Sequence, residues 1–281
     1  VCGMKNFFIV ATAVILFAGL LLALSAYLGR DLLVSLQNSV TSTNKANGSK
    51  LVTEFAIVSD THSDTQQSEK ALQQIKSLGL GYIVHTGDWT KVGTREELLE
   101  QKKLFDNTGL PYWGIMGDHD RWQSQEKNFD SVFGARYEVF EKNSITHILM
   151  DSSDLNNGLG EAQLDWLELV LKKNKYKKKL IFMHLPAYHP TSDRTVASKA
   201  GQDSSREQEV NRFLKLIKDQ NVLAIFSGDH HLSASYTEPT TSVKIFISGA
   251  VTSERNLQSP RFTKVEVYDN GFVSVSDQVI N

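Results

Sequence analysis

The sequence predicts an α/β fold built from two sheets with flanking helices, and three observations predict it. From residue 51 onward, apolar runs of strand length alternate with segments of helical period, the pattern of parallel strands joined by helical crossovers. The last part of the chain continues in strand-like runs without helical segments between them, which implies a second, partly antiparallel sheet. Each of a series of Asp and His clusters follows directly on the C-terminal end of an apolar run, and in open α/β sheets that edge is where ligands bind.

The elements follow in order. Lys5 precedes an uncharged apolar run from Phe7 to Leu28, and Arg30 is the next charge. A run of about 20 apolar residues spans a bilayer as a helix, so residues 1–30 are expected to form a membrane anchor, here a transmembrane helix, or else a signal segment. Residues 31–50 read as a polar linker, with small residues such as Ser39, Ser42 and Gly48. The folded domain is expected over residues 51–281. It would lie outside the cytoplasmic membrane, anchored to it, or secreted if the segment is cleaved.

Within the domain, Phe55 to Ser59 is a buried strand, and Gln66 to Leu78 has helical spacing at Ala71, Leu72, Ile75 and Leu78. Tyr82 to His85 is a strand. Thr94 to Phe105 is a helix, with Thr94 as N-cap and Glu97 at the capping-box position. Tyr112 to Met116, Leu180 to Met183 and Leu223 to Phe226 are strands, while Glu161 to Lys173 and Ser205 to Lys218 are helices. Strand-like runs follow at Val243 to Ile247, Phe262 to Val267 and Phe272 to Val275. The lysines between Lys172 and Lys179 read as a solvated helix end.

Composition narrows the chemistry. A net charge of −2 argues against a phosphate-backbone binder, so no nucleic acid is expected as a dedicated partner. With a single cysteine, Cys2, the chain offers no thiolate framework, so a metal must be held by His and carboxylates.

The clusters supply those donors: Asp60-Thr61-His62, Gly87-Asp88, Gly117-Asp118-His119-Asp120, His184 and Gly228-Asp229-His230-His231. Each alone reads as a cap, a turn or a structural histidine. As a set of hard and borderline donors they suit Mn, Fe or Zn, and they are numerous enough for two ions sharing a carboxylate. Such a pair clamps phosphoryl oxygens and lowers the pKa of a bound water, with a nearby His to protonate the leaving group. His85 and His147 read as structural, Trp89 and Trp113 as packing residues, and His189 as a residue near the second ion.

This series of motifs resembles the calcineurin-like metallophosphoesterase superfamily over about residues 53–235, and the segment from Gly160 to Leu167 resembles a helix common in its phosphodiesterase and purple-phosphatase-like branches. The resemblance implies a four-layer αββα sandwich. It implies two divalent metal ions (Mn, Fe or Zn), one held by Asp60, His62 and His231, the second by Asp118, His184 and Asp229, with Asp88 bridging. His119 would protonate the leaving group or orient the phosphate, and Asp120 would orient His119. The expected activity is hydrolysis of a phosphomonoester or phosphodiester by a metal-bound hydroxide; a membrane-anchored metal-binding or regulatory module with a degenerate site is the alternative. Two positions depart from the family pattern: Asp118 stands where Asn is usual, and Asp229 where His is usual. Both add negative charge, and His230 is a second candidate for the role given to Asp229.

Overall fold

The computed structural model describes residues 48–197 and 204–281. The apolar run from Phe7 to Leu28 and nearly all of the polar stretch after it lie outside those residues. Among the described residues, no helix is long and apolar enough to cross a membrane.

Two mixed sheets form the centre of the domain. The first has the order β11-β10-β1-β2-β3, with β1 (Leu51–Val58), β2 (Ile83–His85) and β3 (Tyr112–Gly114) parallel. The hairpin of β10 (Arg261–Tyr268) and β11 (Val273–Val279) joins it antiparallel beside β1. The second sheet has the order β4-β5-β6-β7-β9-β8. Here β5 (Ile145–Met150), β6 (Lys178–Met183), β7 (Val222–Ser227) and β9 (Lys244–Ile247) are parallel, and β4 (Glu138–Lys142) and β8 (Ala234–Thr237) close the edges antiparallel.

This corrects one expectation. The helix-free strands at the end of the chain do not make a sheet of their own. β8 and β9 extend the sheet of β7, while β10 crosses to the other sheet and pairs with β1 through Phe55↔Val265 and Ile57↔Thr263. The physical reason is the burial of β1 on both faces, which leaves its free edge to be paired by a strand that is itself apolar.

Three cores fix the layers. Helices α1 (Thr65–Ser77), α2 (Arg95–Asp106) and α3 (Lys127–Phe133) pack on the first sheet around Ala56, Val58, Ile75, Phe105 and Phe129. Helices α4 (Glu161–Lys173) and α5 (Ser204–Ile217) pack on the second around Ile181, Met183, Leu164 and Phe213. Between the sheets lie Phe55, Ile57, Leu180, Phe182, Phe226 and Val265. Along β1 and β6 successive residues therefore alternate between two apolar cores, as the period-2 geometry of a strand requires.

His147 belongs to the inter-sheet core: its Nδ1 donates to the Ile145 carbonyl at 3.0 Å, Tyr82 Oη lies 2.7 Å from its Nε2, and its ring stacks on Phe140. Lys179 departs from the solvated reading of its lysine run. It is fully buried, and its ammonium donates to the carbonyls of Lys177 and Gln220 at 2.8 and 2.7 Å. Burial lowers its pKa to about 8.

Candidate metal centre

The C-terminal ends of β1, β2, β3, β6 and β7 point to one edge, and the clusters meet there. Asp60 and His62 follow β1, Asp88 follows β2, Asp118 and the short 3-10 turn His119–Arg121 follow β3, His184 follows β6, and Asp229 and His231 follow β7. The loops continue the strand pairing: the Asp60 N–H donates to the Gly87 carbonyl and the His62 N–H to the Asp88 carbonyl, both at 3.0 Å.

The backbone is bent sharply to aim these side chains. Asp60, His62, Asp88, Asp229 and His231 all have positive φ, between 43° and 68°. Asp and His tolerate this region better than most residues, yet it costs roughly 1–2 kcal/mol per L-residue. Such strain concentrates at functional sites, where the surrounding structure holds it. Glycine permits the close approach: a Cβ on Gly117 would lie 2.0 Å from Asp88 Oδ1, and one on Gly228 would lie 2.2 Å from Ser59 Oγ.

Two groups of donors result. In one, atoms of Asp60, His62, Asp88 and His231 all lie within 4.8 Å of one another; in the other, those of Asp88, Asp118 and His184 do. In the first, His62 Nε2 is 3.0 Å from His231 Nε2 and 3.4 Å from Asp88 Oδ2, and His231 Nε2 is 3.5 Å from Asp60 Oδ1. Two ligands about 2.1 Å from one ion are about 3.0–3.5 Å apart, so these spacings fit a common cation. In the second, His184 Nε2 is 3.2 Å from Asp118 Oδ1 and 3.3 Å from Asp88 Oδ1. Asp88 thus turns one oxygen to each group.

The electrostatics follow from burial and proximity. Burial pushes the His62 imidazole down to about 3, against the pull of Asp88, so it presents a free lone pair at neutral pH. Burial raises Asp60 well above the carboxylate range, although Ser59 Oγ donates to it at 2.5 Å. Burial also acts on Asp88, but His184 and His62 outweigh it and hold that carboxyl below its ordinary value. His184 shows the converse: Asp88 and Asp118 overcome burial and raise it well above 6.5. Its Nδ1 donates to the Thr86 carbonyl at 2.8 Å, which aims Nε2 at the carboxylates, the arrangement common in metal-binding histidines.

Asp229 is the residue of its cluster that faces the second group, with Oδ1 3.6 Å from His184 Nε2. His230 turns away and donates to the Arg194 carbonyl at 2.8 Å. His189 also turns away. Its Nδ1 accepts from the N–H groups of Thr191 and Ser192, which makes it a staple of the loop that carries Arg194.

The expected pairing of Asp120 with His119 is corrected. Asp120 is fully buried and accepts from the N–H groups of Gly117, Trp89 and Thr90 and from Thr90 Oγ1, at 2.7 to 3.2 Å. These donors spend the carboxylate on holding the loops after β2 and β3 together. The His119 ring is oriented instead by the Lys91 carbonyl, to which Nδ1 donates at 2.7 Å, and by Trp122, which stacks on it at 4.0 Å. The capping box of α2 supports this arrangement, since Glu97 Oε1 accepts from both Ser63 Oγ and the Lys91 N–H. His85 is structural, stacked on Trp89 at 3.7 Å.

Two cleft residues carry no sequence signal. Arg194 donates to both Asp118 and Asp229, and Arg255 Nη2 lies 3.4 Å from His119 Nε2. Both come from irregular segments without period or motif. They line an open cleft of about 440 Å³ together with Asp88, Asp118, His119 and His231.

A family model described as calcineurin-like phosphoesterase matches residues 53–233. The chain is 33% identical over 117 residues to a probable glycerophosphodiester phosphodiesterase GpdQ of Arcobacter nitrofigilis, a stretch covering 37% of this chain and 41% of the relative. The chain thus spans less than half the length of that curated relative. Among solved structures, a dimetal phosphatase from Danio rerio superposes with a TM-score of 0.62 at 13% identity, over 83% of this chain and 100% of the other. The purple acid phosphatase PPD1 from yellow lupin (Lupinus luteus) seeds superposes with a TM-score of 0.57 at 11% identity, over 81% and 51% of the two chains. At these identities the two structures establish a shared fold.

Proposed function

Because the chain belongs to the calcineurin-like phosphoesterase family, we propose that its domain is a metal-dependent hydrolase of phosphomonoesters or phosphodiesters that works with two divalent ions. The observation that carries this reading is the sharing of Asp88, with Oδ2 toward His62 and Oδ1 toward His184. Asp60, His62, Asp88 and His231 would hold one ion, and Asp88, Asp118, His184 and Asp229 the other. Mn, Fe or Zn suits these donors. Ions bound there offset charge on phosphoryl oxygens and acidify water.

The chain's own groups do the rest. His119 is the proton carrier: Nδ1 is tied to Lys91, so Nε2, which faces Arg255 at 3.4 Å, is the nitrogen left to exchange a proton with the leaving oxygen. Trp122 and the Lys91 carbonyl hold the ring still. Arg255 and Arg194 bring positive charge to the cleft wall, which favours an anionic substrate. The likeness to a probable glycerophosphodiester phosphodiesterase supports including diesters. The apolar run at residues 7–28 supports a domain held outside the cytoplasmic membrane by an N-terminal anchor.

The test is a panel of aryl phosphate monoesters and diesters, run with chelator-stripped protein and with Mn²⁺, Fe²⁺ or Zn²⁺ restored. Ion-dependent turnover that Asp88→Asn abolishes is the expected result. A purified protein that binds no ion and hydrolyses neither class sinks the proposal. One that binds ions without turnover matches the binding or regulatory module instead.

A further inference from the structure

The second donor group holds more negative charge than His184 can balance. Three carboxylates approach its Nε2, from Asp118 at 3.2 Å, Asp88 at 3.3 Å and Asp229 at 3.6 Å. Their side chains are almost inaccessible, and buried carboxylates require a cationic partner.

Arg194 provides one from the loop after β6. Its Nη2 lies 3.1 Å from both oxygens of Asp118 and 2.6 Å from Asp229 Oδ1. Its Nε lies 3.0 and 2.8 Å from Asp229 Oδ1 and Oδ2. This is the planar fork by which a guanidinium binds carboxylate. The loop is pinned around it: the Arg194 N–H donates to Ser192 Oγ at 3.1 Å, and the Arg194 carbonyl accepts from His230.

The oxygens that Arg194 takes are the ones a second ion needs, since Asp118 Oδ1 and Asp229 Oδ1 are the atoms facing His184 Nε2. Arg194 is also the more exposed partner. Its side chain is 44% exposed and can withdraw into water, whereas Asp229 is 1% exposed and cannot. The first group has no such rival: among the described residues, no guanidinium or ammonium group donates to Asp60 or Asp88. The two carboxylates that depart from the family pattern, Asp118 and Asp229, are the two that Arg194 holds.

We propose that Arg194 is a built-in competitor for the second metal position. Its guanidinium occupies Asp118 and Asp229 until a divalent cation displaces it, so the second position fills later and more weakly than the first. This deepens the dinuclear reading and rests on it.

The test is a titration of the chelator-stripped full chain with Mn²⁺, followed by calorimetry and by electron paramagnetic resonance. Wild type is compared with Arg194→Gln and Arg194→Lys. The first equivalent should bind equally well to all three. The second should bind Arg194→Gln at least about tenfold more tightly than wild type, the scale on which one close charge pair acts. Arg194→Lys keeps the charge without the fork and should fall between, which preserves the comparison if the Gln variant does not fold. At two equivalents Arg194→Gln should show the spectrum of a spin-coupled Mn pair at protein concentrations where wild type still shows isolated Mn. Equal second-ion affinity in wild type and Arg194→Gln, or weaker affinity in the variant, overturns the competitor. Failure of every protein to bind even one ion overturns the metal reading beneath it, a result distinct from tight binding of two ions by all three.

Discussion

His62 and His231 meet ring nitrogen to ring nitrogen, Nε2 to Nε2 at 3.0 Å, although 169 residues separate them in the chain. Burial lowers the pKa of both imidazoles, so both are neutral near pH 7. Two neutral rings beside Asp60 and Asp88 should form a site whose filling by a cation stabilises the fold. Free ion at a thousandfold above its Kd should add about 4 kcal/mol. Thermal melts with divalent ion and with chelator measure the gain. His62→Ala should lose most of it, measured against its own melt in chelator.

Gly117→Ala should spoil the site and destabilise the loop that carries Asp88. The new methyl would lie 2.0 Å from Asp88 Oδ1 and 2.2 Å from the Asp88 backbone nitrogen, and Asp88 must move. Misplacement of a reacting group by about 1 Å can cost about 10²-fold in rate. Steady-state kinetics at saturating metal reads the loss, and circular dichroism checks the fold. A variant as active as wild type would show that the loop yields without moving Asp88.

Asp120→Asn should destabilise the domain without unseating His119. The amide nitrogen would face N–H donors where the carboxylate now accepts, and an unpaired buried group costs about 1–3 kcal/mol. Urea denaturation measures that cost. The histidine resonances of His119, held by the Lys91 carbonyl, should keep their positions. A large shift would restore Asp120 as the orienting group.

Stability should fall as pH drops from 6.5 to 4, in part through His147. Burial lowers its folded-state pKa to about 4, so in that window the unfolded chain binds a proton that the folded chain refuses. The contribution is fully present above pH 6.5 and is lost by about pH 4, a change of up to about 3 kcal/mol. His147→Phe removes the titrating ring from its stack with Phe140 and Phe182. Urea midpoints for that variant should decline less steeply with acid than those of wild type. An equal slope would assign the acid sensitivity to other groups.

Much of the domain was legible because its strands are buried on both faces. Runs such as Phe55 to Val58 and Leu180 to Met183 therefore stand out, and each donor cluster begins where one ends. The Thr94–Glu97 capping box could be read directly, since its residues are local. Long-range partnership could not. Nothing in Phe262 to Val267 says that it pairs with β1 on one sheet while Lys244 to Ile247 joins β7 on the other. The β4–β5 hairpin was hidden because its turn, Asn143-Ser144, adopts positive φ without glycine and its first strand is half exposed. Asp120 looked like a partner of His119 because it is adjacent in sequence, but in the turn at residues 119–121 the two side chains take different partners, Thr90 and the Lys91 carbonyl. Arg194 was invisible to pattern because its position depends on the folded loop.

The donors come from both sheets: Asp60, His62, Asp88 and Asp118 from the ends of the first, His184, Asp229 and His231 from the ends of the second. A cation held among them is therefore a clasp across the inter-sheet core. Each donor group draws residues from both halves. A cation there would lock the two once Phe55, Phe182 and Phe226 have closed the space between them. Slow release of bound metal during unfolding would then time the parting of the sheets, and hydrogen exchange at β1 and β6 should quicken together when the clasp is removed.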